Sequence, residues 1–219
     1  MPVKISERLA LVVPLYDEKE QVYAYVHSMP ISREVFEVHW RLLAHTFTSI
    51  AQLGIAIGPR MSYVALKDTA KALAALSDGD ADKLVLPLMN ELQRLGNVVL
   101  ATDKGWETIP LSQAIDGKLI DPDDAQEALS AVVFFTAAWH MQPRATRAAF
   151  ATGGARVWGA EISSLSVTAF AASLPTSTVT APSGEKSTET EAPPRPAMPL
   201  RTPGATVQVE GTVASSLPS

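Results

Sequence analysis

Residues Asp121–Met141, DPDDAQEALSAVVFFTAAWHM, decide the fold. They form the longest strongly apolar stretch of the chain and carry its clearest start signal. Asp121 is placed to act as an N-cap. Pro122 at the first helical position has its φ already set and no N–H to leave unpaired. Asp123 and Asp124 put negative charge on the first turn, where the helix dipole favours it. Pro143 supplies the stop. At about 1.5 Å per residue such a helix is roughly 30 Å long, enough to cross a small domain. Its uncharged part, Ala128–Met141, falls short of the ~20 residues that a membrane span needs, and Ser130, Thr136 and His140 interrupt it. A buried core helix is therefore expected.

Upstream of this helix, residues 8–28 read as a β-hairpin. RLALVVPLY is apolar and rich in β-branched residues. QVYAYVHS alternates, with Val22, Ala24 and Val26 on one face and Tyr23, Tyr25 and His27 on the other. Pro14 removes a ladder donor, so the first strand is expected at an edge or with a bulge there. A lone hairpin is not stable in water, so this one must pack on the helices or on another subunit. Ser32 is a suitable N-cap for a helix ending at Gly54, with Val35, Phe36, His39, Leu42, Leu43, Phe47 and Ile50 on one face. A second helix is expected from about Arg60 to Ala75, stopped by SDGD. A third covers Ala81–Leu95, either kinked at Pro87 or starting near Leu86. NVVLATDKGWETIPL is either a second small hairpin or a loop pinned by Trp106. Beyond the central helix, one short helix starts at Pro143 and ends at Gly153, and another is capped by Ser166 and stopped by Pro175.

The fold class expected is mainly α: an N-terminal hairpin segment (1–30), a helical domain (31–174) and a Pro/Ser/Thr-rich tail (175–219). The tail has no Phe, Tyr or Trp. It cannot bury enough apolar area to offset its ordering entropy and is expected to be disordered in isolation. Within it, TVQVEGTV has strand character, and PAMPLR (196–201) matches a PxxPx-basic pattern, for which a solvated linker is the preferred reading.

Bulk composition excludes several functions. The chain has 219 residues, 47% hydrophobic and 19% charged, with a net charge of −5. There is no basic excess to neutralise phosphates, so nucleic-acid binding is not expected. Cys is absent, which removes disulfides and thiolate chemistry. The apolar run near the N-terminus is broken by Pro14 and followed by charge, so no signal peptide is expected. His27, His39, His45 and His140 show no metal-ligand spacing, and no nucleophile elbow, phosphate loop or dinucleotide fingerprint is present. His140, at a helix end, is expected to stabilise the last turn through the dipole. The acidic clusters Asp78–Asp82 and Asp121–Glu127 are explained by capping and turns. No catalytic, cofactor or metal residue is assigned. The remaining signal lies in large apolar side chains. Trp40, Phe47, Phe135, Trp139 and Phe150 are the candidates for a groove that takes a partner helix, with ordinary core packing as the rival reading.

YVHSMPISREVFEVHW (25–40), TFTSIAQLGIAIGPR (46–60), DDAQEALSAVVFFTAAWHMQP (123–143) and SSLSVTAFAASLPTSTVTAPSGEK (163–186) together resemble the tail assembly chaperones of long-tailed bacteriophages. The hairpin, helical body and Pro/Ser/Thr tail follow the same plan. The resemblance implies a non-enzymatic protein of the host cytoplasm. It would bind the tape measure protein, recruit tail tube subunits and possess no cofactor; self-association is also compatible. It further implies a longer form made by ribosomal frameshifting, for which Ser183–Lys186 is suitably placed. The alternative is a virion structural component, a tail or head–tail accessory protein whose tail orders on its neighbours.

Overall fold

The computed structural model describes residues 9–175, without the side chains of Ile55, Ala56 and Arg144. The readings of residues 176–219, including the tail, PAMPLR, TVQVEGTV and the frameshift position, lie outside the described residues. In chain order the elements are β1 (Ala10–Tyr16), β2 (Val22–Ser28), α1 (Arg33–Gln52), α2 (Gly54–Ile57), α3 (Ser62–Leu76), α4 (Ala81–Leu95), β3 (Gly96–Thr102), β4 (Gly105–Pro110), α5 (Leu111–Asp116), α6 (Pro122–Met141), α7 (Arg144–Ala155), β5 (Glu161–Ser163) and α8 (Val167–Ser173). Single 3₁₀ turns at Pro59–Met61 and Arg156–Trp158 precede α3 and follow α7.

The local signals around α6 act as their chemistry dictates. Asp121 Oδ1 accepts the Asp123 N–H at 2.8 Å, and Pro122 opens the helix. Every residue from Ala128 to Trp139 is buried. A helix apolar on all sides must be enclosed on all sides. α6 is packed by α1, α3 and α7, and by β1 of the sheet. Among the described residues no helix is long and apolar enough to cross a membrane. Substituting Asp121 with Ala removes an N-cap bond and should cost about 1 kcal/mol, read as a lower urea midpoint.

Helix prevails, but the hairpin is not an appendage, and here the expected architecture needs correction. β1 and β2 are central strands of a five-stranded antiparallel sheet ordered β4-β3-β2-β1-β5. The sheet draws three strands from the segment expected to be helical, so the boundary at residue 30 separates nothing. NVVLATDKGWETIPL is a hairpin, and it pairs through β3 with β2, matching Tyr25 to Val99 and Val26 to Val98. The single sequence contains no signal for that pairing, because strand neighbours so far apart in the chain are chosen by tertiary packing. α5 and β5 are too short to show periodicity, and the sequence marks neither.

The two faces of the sheet are covered differently. Leu11, Val13, Leu15, Ala24, Val26 and Val98 join α6 in the main core. Val12 and Val99 face the other way, onto Phe170 of α8. There the Tyr25 ring meets Phe170 edge-on at 5.3 Å, and Trp106 Nε1 donates to the Pro175 carbonyl at 2.8 Å. β5 pairs only with Ala10–Val12, so β1 is an edge strand beyond Val12, where Pro14 sits, and a bulge falls at Leu15/Tyr16. The bulge overturns one expected facing. Tyr23 is left unpaired and turns to the helical side, where its hydroxyl donates to Asp124 Oδ2 at 2.6 Å. Burial, then the bond to Asp124, hold that phenol above its ordinary range.

Helix termini otherwise follow the sequence, with one exception in α7. Ser32 and Ser166 cap α1 and α8, and Gly54 at φ +78° ends the first helix region. α4 spans the expected Ala81–Leu95 with Pro87 inside it on an exposed face, so it does not start late at Leu86. α7 does not stop at Gly153 but continues to Ala155, and the chain reverses only at Gly159, φ +63°.

Candidate functional site

The five aromatic candidates separate into three groups. Phe135 and Trp139 are core residues, 2% and 6% exposed, with ring centroids 5.3 Å apart. They are withdrawn as partner contacts, because a side chain already enclosed by its own domain has no surface to offer. Phe47 and Phe150 meet at 6.5 Å across a groove between α1 and α7. Trp40 lies elsewhere, half exposed beside Val38, Leu76 and Leu84 in a hollow of about 550 Å³ between α1, α3 and α4. That hollow is mixed in character, with His39, Arg41 and Ser77 among its lining.

The groove that holds Phe47 and Phe150 is the more sharply built. It encloses about 530 Å³ and is lined by Phe47, Ile50, Ala51, Gly54, Pro59, Phe134, Ala149, Phe150, Gly153, Gly154 and Val157. That volume is within the range of specific binding sites, but nothing in the lining titrates or attacks. Phe134 is its floor, stacked near Phe150 at 6.4 Å and tilted on Trp158 at 5.5 Å. Its shape has a local cause. Gly153 and Gly154 place no side chains between Phe150 and Val157, so α7 lies directly on Phe134. On the opposite wall, the left-handed Gly54 turns the chain away from the α1 axis, and Pro59 starts the 3₁₀ turn that closes one end. The Gly153-Gly154 doublet is the one sequence signal for this site, and by itself it reads as a helix stop. Phe134 escapes a reading of the sequence because adjacent phenylalanines carry no mark of which one is core and which one floors a groove.

The polar groups explain structure rather than chemistry. Among the described residues no three His, Asp or Glu side chains are placed to hold a metal ion. His140 does not serve as a charged partner for the end of α6. Its Nε2 is 2.8 Å from the Ile31 carbonyl, which makes it a donor, and its ring stacks on Phe36 at 4.9 Å. His27, 1% exposed, likewise reaches the Leu165 carbonyl at 3.1 Å. Burial, the largest cause in each, lowers both imidazoles below the ordinary 6.5, so both are neutral tethers at neutral pH. The unfolded chain therefore takes up more protons than the folded one as pH falls below 6.5. The stabilisation is fully present above that value and is lost on acidification toward the lowered folded values. The urea midpoint should drop between about pH 7.5 and about pH 5, and His140→Gln should flatten that dependence.

No family model, curated protein or solved structure matches this chain.

Proposed function

We propose that this protein is a non-enzymatic tail assembly chaperone of a long-tailed bacteriophage, acting in the host cytoplasm. In this role it binds the tape measure protein, keeps it soluble and helps recruit tail tube subunits. The observation that supports the reading is the apolar groove between α1 and α7, open to solvent and floored by Phe134. A tape measure exposes apolar helical stripes until the tube encloses them. A trough with aromatic walls and a glycine-lined side suits the large apolar side chains of such a stripe. A modest affinity would suit a chaperone that is later displaced.

The test is co-expression with the tape measure protein encoded in the same genome. The full chain should co-purify with it and raise its soluble yield. Phe150→Ser should reduce both at least about tenfold, equivalent to about 1.4 kcal/mol of binding. Because Phe150 is already 37% exposed, the same change should leave the fold intact by circular dichroism. Absence of co-purification with the unaltered chain removes the chaperone reading. Recovery of the chain in stoichiometric amount from purified virions would assign it to the particle instead.

A further inference from the structure

The groove has a charge setting that its apolar lining hides. All of its lining residues come from two stretches, 38–67 and 128–160, and neither contains an Asp or a Glu. The same stretches hold Arg41, Arg60, Lys67, Arg144, Arg147 and Arg156, in a chain whose net charge is −5. Two of these cations stand at the Val157 end of the groove. Arg60 follows Pro59 and donates from Nη2 to the Val157 carbonyl at 3.3 Å, so it sits at the end closed by those two residues. Arg156 is exposed and adjacent to Val157. Arg147, on α7, is instead held over the Trp139 ring at 5.3 Å and donates to the Gln142 carbonyl at 3.4 Å, and neither Trp139 nor Gln142 lines the groove. Glu127 approaches Arg60 at 3.8 Å, and with the Arg60 side chain 58% exposed the guanidinium still has donors open to a docked segment.

We propose that the segment received by this groove is an amphipathic helix whose apolar stripe is flanked by acidic residues. The inference rests on the docking role above and adds a sign to it. A basic helix meets two like charges and no carboxylate partner beyond Glu127, whereas an acidic one finds both cations at the Val157 end of the trough. Charge at a rim acts on encounter and on partner choice, while the aromatic walls hold what arrives.

The test uses the full chain and two fluorescent synthetic peptides of about 18 residues, about five helical turns. Both carry the same Leu/Phe stripe, and their polar faces are all Glu in one and all Lys in the other. Anisotropy at low salt should show the Glu peptide binding at least about tenfold tighter, with the gap closing as salt rises. Arg60→Glu combined with Arg156→Glu should erase the preference, and Phe150→Ser should weaken both peptides. Equal affinities, or a preference for Lys, would overturn the acidic assignment and leave the docking role standing. Binding of neither peptide would remove both. Self-association of the chain that is lost in Phe150→Ser would make a second copy the occupant, which also overturns the proposal.

Discussion

Phe135→Ala is expected to lower the unfolding free energy by about 3–5 kcal/mol, the range for an aromatic lost from a packed core. For a domain of this size that is a fall of about 10 °C in Tm. The upper part of the range is favoured by the surroundings. Phe135 is 2% exposed and lies near Ala131, Ala138, Ala151 and Ala155, with Leu11 of β1 and Trp158 closing the space. Alanines have no side-chain freedom with which to fill a vacated ring site, so the hole persists. Phe150→Ala, at 37% exposure, should cost under about 1.5 kcal/mol. The two substitutions therefore separate stability from binding. Folded Phe135→Ala protein should still bind a partner helix, and folded Phe150→Ala protein should bind it about tenfold more weakly. Urea denaturation alongside peptide anisotropy reads both quantities. A stable Phe135→Ala protein that has lost binding would return Phe135 to the surface and refute the core assignment.

That contrast shows where the sequence is informative and where it stops. Signals confined to one turn are legible: Asp121–Pro122, Ser32, Ser166 and Gly54 each act through the bonds or dihedral angles that their side chains allow. The enclosure of α6 is legible too, because its uncharged run from Ala128 to Met141 has no stable exposed state in water. What cannot be read is anything decided by two distant stretches at once. The pairing of β2 with β3 exists because both hairpins present an apolar face to the same helices, and neither carries a mark of the other. The aromatic candidates fail for the same reason. Trp139 and Phe150 are alike in chemistry, and only the path of α7 buries one and opens the other. The bulge at Tyr23 is a third case: alternation along QVYAYVHS is real, yet one extra residue in β2, left without a partner on β1, turns that tyrosine to the other face.

The glycine doublet of α7 supplies the second large effect, because neighbouring residues of the same type should respond with opposite sign. A Cβ on Gly153 meets nothing within 4 Å. Gly153→Ala should therefore stabilise by about 0.5–1 kcal/mol, the helix preference for Ala over Gly. A Cβ on Gly154 falls 2.4 Å from Phe134 Cε1 and 3.2 Å from Cζ. The helix preference is the same there, but overpacking of this kind costs about 1–3 kcal/mol. Phe134 cannot absorb the clash freely, since Phe150 and Trp158 hold it on two sides. The clash outweighs the helix preference, and Gly154→Ala should lie about 2 kcal/mol below Gly153→Ala in urea denaturation. The ring has one open direction, up into the groove, so Gly154→Ala should also weaken peptide binding by more than its stability loss explains. Equal stabilisation by both substitutions would mean that α7 does not rest on Phe134, and the groove would then lack the floor on which its binding role depends.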